Sequence, residues 1–185
     1  MISTTSEYGF GTTVALDYER AVARVKDELA REGFGILCEI DVAATMKKKL
    51  NVDFRPYVIL GACNPPLAHR ALTAERDIGL LLPCNVIVYA ADAPGHSVVA
   101  AMDPVVALAV TGNTSLQPMA EEVKARLTRA LDAVERDSPV DATTVLPAGL
   151  SRAECGSRHD ERSVRERARH RQCGRQSTVC NTRQD

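Results

Sequence analysis

Two thiols in matching settings are the residues best suited to chemistry in this chain. Cys63 lies in Ile59-Leu60-Gly61-Ala62-Cys63-Asn64-Pro65-Pro66-Leu67-Ala68-His69, and Cys84 in Gly79-Leu80-Leu81-Leu82-Pro83-Cys84-Asn85-Val86-Ile87-Val88-Tyr89. Each segment is an apolar, strand-like run that carries a Cys-Asn pair. The prolines after Asn64 suit the first turn of a helix, so the Cys63 thiol is expected at a helix N-terminus. Unpaired backbone N–H groups and the positive end of the helix dipole would favour thiolate there. The thiol pKa is therefore expected to fall and its nucleophilicity to rise. His69, about one turn into the same helix, adds a proton acceptor. Cys84 is expected nearby on another strand. Two thiols and an imidazole can bind a soft metal ion or carry a sulfur atom.

The same residues have plain structural uses. Cysteine in an apolar strand commonly packs as a small hydrophobe. His69 fits an exposed helix position, and His96 beside Gly95 fits a turn. An asparagine cap such as Asn64 stabilises a helix by about 1 kcal/mol relative to alanine. Asn85, inside a strand, must find buried partners or line a pocket. The candidate ligand-binding set is Cys63, Asn64, His69, Cys84 and Asn85. No residue is assigned a catalytic role, and no cofactor or metal is identified. The chain has no Gly-x-x-x-x-Gly-Lys phosphate loop, Gly-x-Gly-x-x-Gly, Gly-x-Ser-x-Gly or His-Glu-x-x-His. Gly9-Phe10-Gly11 and Gly33-Phe34-Gly35 flank strands and read as turns or bulges.

The elements that must position these residues follow from periodicity. Tyr8, Phe10, Thr12, Val14 and Leu16 alternate as a strand. Asp17 stands where an N-cap belongs, and Ala21, Val22, Val25 and Leu29 follow at helical spacing. Gly33 can close that helix in the left-handed conformation. Phe34, Ile36, Cys38 and Ile40 alternate again. Asp41 caps a short helix, 42–50, whose Lys47, Lys48 and Lys49 form a solvated face; an anion contact is the functional alternative. A third strand covers 56–63, a helix 67–75, and a fourth strand 79–90 with Pro83 inside it, which implies an edge or a bulge. Asp92-Ala93-Pro94-Gly95 is turn chemistry, and 96–101 returns as the second arm of a hairpin. Asp103-Pro104 starts a short helix, and 111–115 is a loop. Leu116, Ala120, Val123, Leu127, Leu131 and Val134 mark one face of the longest helix, ending near Arg136. This order predicts an α+β fold: two layers, a single mainly antiparallel sheet, and helices packed on one face.

Composition bounds the rest. A chain of 185 residues, 45% apolar and 25% charged, is long enough for one domain with its own core. With no tryptophan and 4% aromatics, that core must be aliphatic. No apolar run nears the roughly 18 residues of a membrane span, and the first residues do not read as a signal peptide. A cytoplasmic location, free thiols and no membrane contact are expected. Residues 1–137 hold 14 Lys+Arg against 18 Asp+Glu, a balance of −4. That mild acidity argues against specific nucleic-acid binding.

Residues 138–185 are a different material. They carry nine arginines, six acidic residues, no aromatic side chain, and six Leu, Ile, Val or Phe in 48 positions. Such a segment cannot build a core and is expected to be a disordered Arg- and Cys-containing tail. A reading-frame change in a GC-rich gene would produce the same composition; an intact frame through codon 185 excludes it. Cys155, His159, His170, Cys173 and Cys180 are zinc-type ligands, but they form no Cys-x-x-Cys pair. The domain is accordingly placed at 1–137.

Residues 8–136 resemble the domain-of-unknown-function-302 family. The likeness rests on Glu32-Gly33-Phe34-Gly35 with Glu39-Ile40-Asp41-Val42, on Ile59-Leu60-Gly61-Ala62-Cys63-Asn64-Pro65, and on Leu82-Pro83-Cys84-Asn85-Val86. It implies an α+β domain loosely similar to the TATA-binding-protein fold, and a homodimer. It implies no catalytic residue, because the family has no settled activity. Three readings stand. The first is a binding module with a small-ligand or soft-metal site near the two Cys-Asn segments. The alternatives are a structural homodimer whose thiols only pack, and a thiol-dependent enzyme using Cys63.

Overall fold

The computed structural model describes residues 3–136. The tail expected over 138–185, with its candidate zinc ligands, lies outside the described residues. Six strands and five helices follow in the order β1 (Ser3–Ser6), β2 (Gly9–Val14), α1 (Tyr18–Arg31), β3 (Gly35–Asp41), α2 (Val42–Leu50), β4 (Tyr57–Cys63), α3 (Pro65–Ala74), β5 (Cys84–Ala90), β6 (Ser97–Met102), α4 (Pro104–Ala109) and α5 (Gln117–Arg136). Short 3₁₀ turns precede β5 (Arg76–Leu81) and α5 (Thr114–Leu116).

The predicted caps are in place. The Arg20 N–H donates to the Asp17 carboxylate at 2.9 Å, and the Ala44 N–H to Asp41 at 2.8 Å. Each satisfies a backbone donor that the helix itself leaves unpaired. Gly33 follows α1 with φ +83°, the left-handed conformation expected of it.

The strands form one antiparallel sheet in the order β1-β2-β6-β5-β4-β3. Register aligns the inward side chains in rows across the sheet. One row runs Leu60, Val86, Ala101, Phe10; the next runs Val58, Val88, Val99, Thr12. α1 and α5 cover this face, burying Ala21, Val25 and Leu29 from one helix and Leu127, Leu131 and Val134 from the other. The core is aliphatic, as composition requires, with Phe10 and Phe34 as its aromatic members. Two polar side chains inside it are satisfied. The Ser97 hydroxyl donates to the Leu16 carbonyl at 2.9 Å, and Glu28 is held by Arg24 and Arg31 at 2.7 and 2.5 Å.

Two expectations change. The 79–90 segment is not one strand. Arg76–Leu81 turns as a 3₁₀ helix, the Leu82–Pro83 peptide is cis, and the ladder begins only at Cys84. Proline has no N–H to give a ladder, and Leu81 and Leu82 instead pack against the core. The first strand is joined by β1, whose polar sequence Ser-Thr-Thr-Ser carries no alternation; pairing with β2 forms it. Among the described residues no helix is long and apolar enough to cross a membrane.

The opposite face of the sheet is open. Tyr57, Ile59, Ile87, Tyr89 and Val98 lie there half-buried, and the Tyr57 and Tyr89 rings stack 5.2 Å apart, 4° from parallel. Tyr8 and Ile40 are 74% and 47% exposed.

Candidate functional site

At one end of the sheet β4 runs into α3, and β5 begins beside it. Ala62 of β4 pairs with Cys84 of β5, and Cys63 pairs with Gly35 of β3. Helices close the space beyond: α3 with Leu67 and Ala68, α4 with Leu108, and α5 with Met119 and Val123. A cavity of about 40 Å³ remains between them. Cys63, Asn64 and Cys84 all line it, among otherwise apolar residues. The two Cys-Asn segments therefore do meet, around one hollow.

Asn64 performs the predicted cap. Its side-chain oxygen accepts the Leu67 N–H at 3.3 Å, and its carbonyl accepts the Ala68 N–H at 2.9 Å. Pro65 and Pro66 have no N–H at all. The first turn of α3 thus keeps no backbone donor for a neighbouring thiolate. This overturns the expected activation of Cys63: burial pushes its thiol up rather than down. Cys84 goes further, to about 11, chiefly through burial and then through the proximity of Cys63. Both sulfurs are thiols at neutral pH.

The other two candidates lie elsewhere. His69 is exposed on α3, where its carbonyl accepts the Thr73 hydroxyl, and it does not line the cavity. Asn85 alternates out of the core opposite Gly61 and is exposed. It lines a different space, a groove of about 430 Å³ on the open sheet face, with Tyr8, Tyr57, Ile87 and Tyr89. The repeated Cys-Asn pair therefore serves two faces of the sheet. In the first copy the asparagine leaves the strand to cap a helix. In the second it stays in the ladder and points the other way.

Two cavity residues escaped the sequence reading. Met102 ends β6, and Met119 lies in the first turn of α5. Both residues line the hollow together with Cys63 and Cys84, and Met102 also borders the groove on the open face. Met119 sits in the apolar part of α5, where a methionine looks like core, and Met102 carries no local signal. Among the described residues, no three His, Cys, Asp or Glu side chains come together as a metal cluster.

The family described as Domain of unknown function DUF302 matches residues 10–134. The crystal structure of an uncharacterized conserved DUF302 protein from Bacillus stearothermophilus is similar at 28% identity with a TM-score of 0.64, covering 69% of this chain and 98% of that one. No curated protein matches the sequence.

Proposed function

This chain belongs to the DUF302 family, whose description assigns no activity, and we propose from its own geometry that it is a small binding module seated at the Cys63–Cys84 hollow. One observation carries the reading: two cysteines from separate segments line the same cavity, with an otherwise mostly apolar wall. The size of the cavity limits the occupant. About 40 Å³ accommodates an ion or a water-sized group, whereas organic ligands occupy roughly 300–1,000 Å³. A nucleophile is the weaker use of these thiols, because burial keeps both protonated. Titration with zinc(II) and with copper(I), read as a thermal shift, tests the module. Stabilisation by either ion that disappears in Cys63→Ser and in Cys84→Ala is the expected result. No shift with either ion overturns it.

A second reading rests on the other face. Tyr8, Tyr57, Ile87, Tyr89 and Val98 present an apolar, aromatic surface that no helix of the core covers. Contiguous exposed apolar surface of this kind marks interaction sites. A second copy of the chain, related by a two-fold axis, is the occupant this reading names.

A further inference from the structure

We propose that the groove on the open sheet face binds a neutral, planar heteroaromatic molecule whose edge sets an N–H beside a carbonyl, stacked on Tyr89 and hydrogen-bonded to Asn85. This site shares only Met102 with the Cys63–Cys84 hollow. Its volume is about 430 Å³ against about 40 Å³ there, which is the size range of organic ligands rather than ions.

The chain carves this groove by setting small residues between tall ones. On the open face β6 contributes Val98, Ala100 and Met102, and its neighbour β2 places Gly9 opposite Met102 and Gly11 opposite Ala100. A Cβ at Gly11 would collide with Ala100, so the strands meet there without a side chain between them. Ala100 lies at the bottom, only 5% exposed. On one side β5 raises Tyr89, Ile87 and Asn85; on the other stands Tyr8, in the turn before β2.

Tyr89 fixes how a ligand would lie. Its ring stacks on Tyr57 across the β4–β5 ladder, with centroids 5.2 Å apart and planes 4° from parallel. That spacing is close to the roughly 4.8 Å between neighbouring strands, so the rings stand in file along the row. Phe54 extends the file beyond Tyr57, at 6.2 Å. The other face of the Tyr89 ring turns toward β6, where its partner Val98 is too short to cover it. A flat ring is the next member this file accepts.

Asn85 supplies the polar contact. It lies on the same face four residues back along β5, roughly 13 Å away at the rise of a strand, a span that two or three fused rings bridge between the side chains. Asparagine is disfavoured in strands, and the Asn85 amide makes no hydrogen bond among the described residues. It offers a donor and an acceptor side by side, the complement of an N–H beside a carbonyl. No charged residue lines the groove, so a ligand charge would be desolvated without a partner. Burial, then the nearby Tyr89 and Tyr8, pushes the Tyr57 pKa up, and its hydroxyl stays neutral too. A second copy on this face would set groove against groove across a two-fold axis, leaving the volume open to the ligand.

The test is equilibrium dialysis of the full-length chain against lumiflavin, a neutral ring system with an N–H between two carbonyls. The comparison is 3-methyllumiflavin, in which a methyl group replaces that hydrogen. One lumiflavin per chain is expected, with the methyl derivative bound about tenfold more weakly. Asn85→Leu should bring lumiflavin down to the level of its derivative, and Tyr89→Leu should weaken both alike. Both side chains point away from the core, and thermal unfolding checks that the variants keep the fold. Cys63→Ser, at the other hollow, should leave lumiflavin binding unchanged, whatever the metal titrations show there. No saturable lumiflavin binding overturns the assignment. Binding that survives both groove variants, or that Cys63→Ser abolishes, overturns the groove as the seat. Equal affinity for the two probes overturns the Asn85 contact.

Discussion

Ala62 and Cys84 face each other in the β4–β5 ladder, and Cys63, the next residue along β4, borders the same hollow as Cys84 and lies close enough to raise its pKa. This pairing makes the thiols neighbours while their environment keeps them protonated. Reactivity follows, because thiolate is the nucleophile. Among the three described cysteines, alkylation mapped peptide by peptide at neutral pH is expected to modify exposed Cys38 first and Cys84 last. The Cys84 rate should climb about tenfold per pH unit until the pH nears its pKa of about 11. Rapid labelling of Cys63 or Cys84 near pH 6 would restore the nucleophile reading.

The same burial makes stability fall in alkali. The Cys84 pKa is raised from an ordinary 9.0 to about 11, so the folded chain holds this proton more tightly than the unfolded one. The resulting stability is fully present below pH 9 and is lost as pH rises toward 11. The amount is on the order of 2 kcal/mol. Urea unfolding at pH 8 and at pH 11 should therefore show a steeper loss for the native chain than for Cys84→Ala. Parallel losses in the two proteins would contradict this.

Asn64 joins strand to helix, and its removal tests that joint. Asn64→Ala leaves the Leu67 N–H without its acceptor, and the position is only 8% exposed, so water is a poor substitute. A cost of about 1–2 kcal/mol is expected in denaturant unfolding. Asn64→Asp, which keeps a capping oxygen, should recover part of it. Equal losses in the two variants would remove the cap from the explanation.

Much of this fold was legible because local signals agreed with tertiary packing. Asp17 and Asp41 cap where they stand in the sequence, and the α5 stripe faces the sheet as its spacing demands. Legibility failed where local signals were incomplete. Leu80-Leu81-Leu82 looks like strand, but Pro83 stops the ladder, and Leu80 is 88% exposed. The site was half visible. Cys63, Asn64 and Cys84 could be named because strand and cap signals flank them. Asn85 could be assigned to the other face only once the β5 register was known, since a period of two sends neighbouring side chains to opposite sides. The expected activation of Cys63 fails for a countable reason: Asn64 and the two prolines leave no free donor in the first turn of α3.

Close backbone approach at Gly61 provides a packing test. A Cβ there would lie 2.5 Å from the Cys38 sulfur and 2.8 Å from the Pro83 ring. Gly61→Ala is expected to cost about 1–3 kcal/mol through this overlap. Gly79→Ala is the control, since its Cβ would meet only the Leu72 side chain at 3.8 Å, an ordinary contact. Cys38→Ala should recover part of the Gly61→Ala loss, because the two positions share the crowded space. A double variant no more stable than Gly61→Ala would shift the whole clash to Pro83.

The open sheet face gives the last prediction. Tyr57 and Tyr89 stack there at 5.2 Å, beside a groove bordered by Tyr8 and Ile87, and the core helices cover the other side. If this face pairs with a second copy, light scattering should give twice the chain mass at micromolar concentration. Tyr89→Lys would then place two like charges near a two-fold axis and release monomers. The substitution points away from the core, so thermal unfolding of the monomer should still be cooperative. Lys48→Glu, on the exposed helix α2, serves as a charge-changing control and should leave the mass unchanged. A native chain that stays monomeric at high micromolar concentration removes the second copy as the occupant of this face. The aromatic groove, with Asn85 at its edge, would then be left free for another ligand.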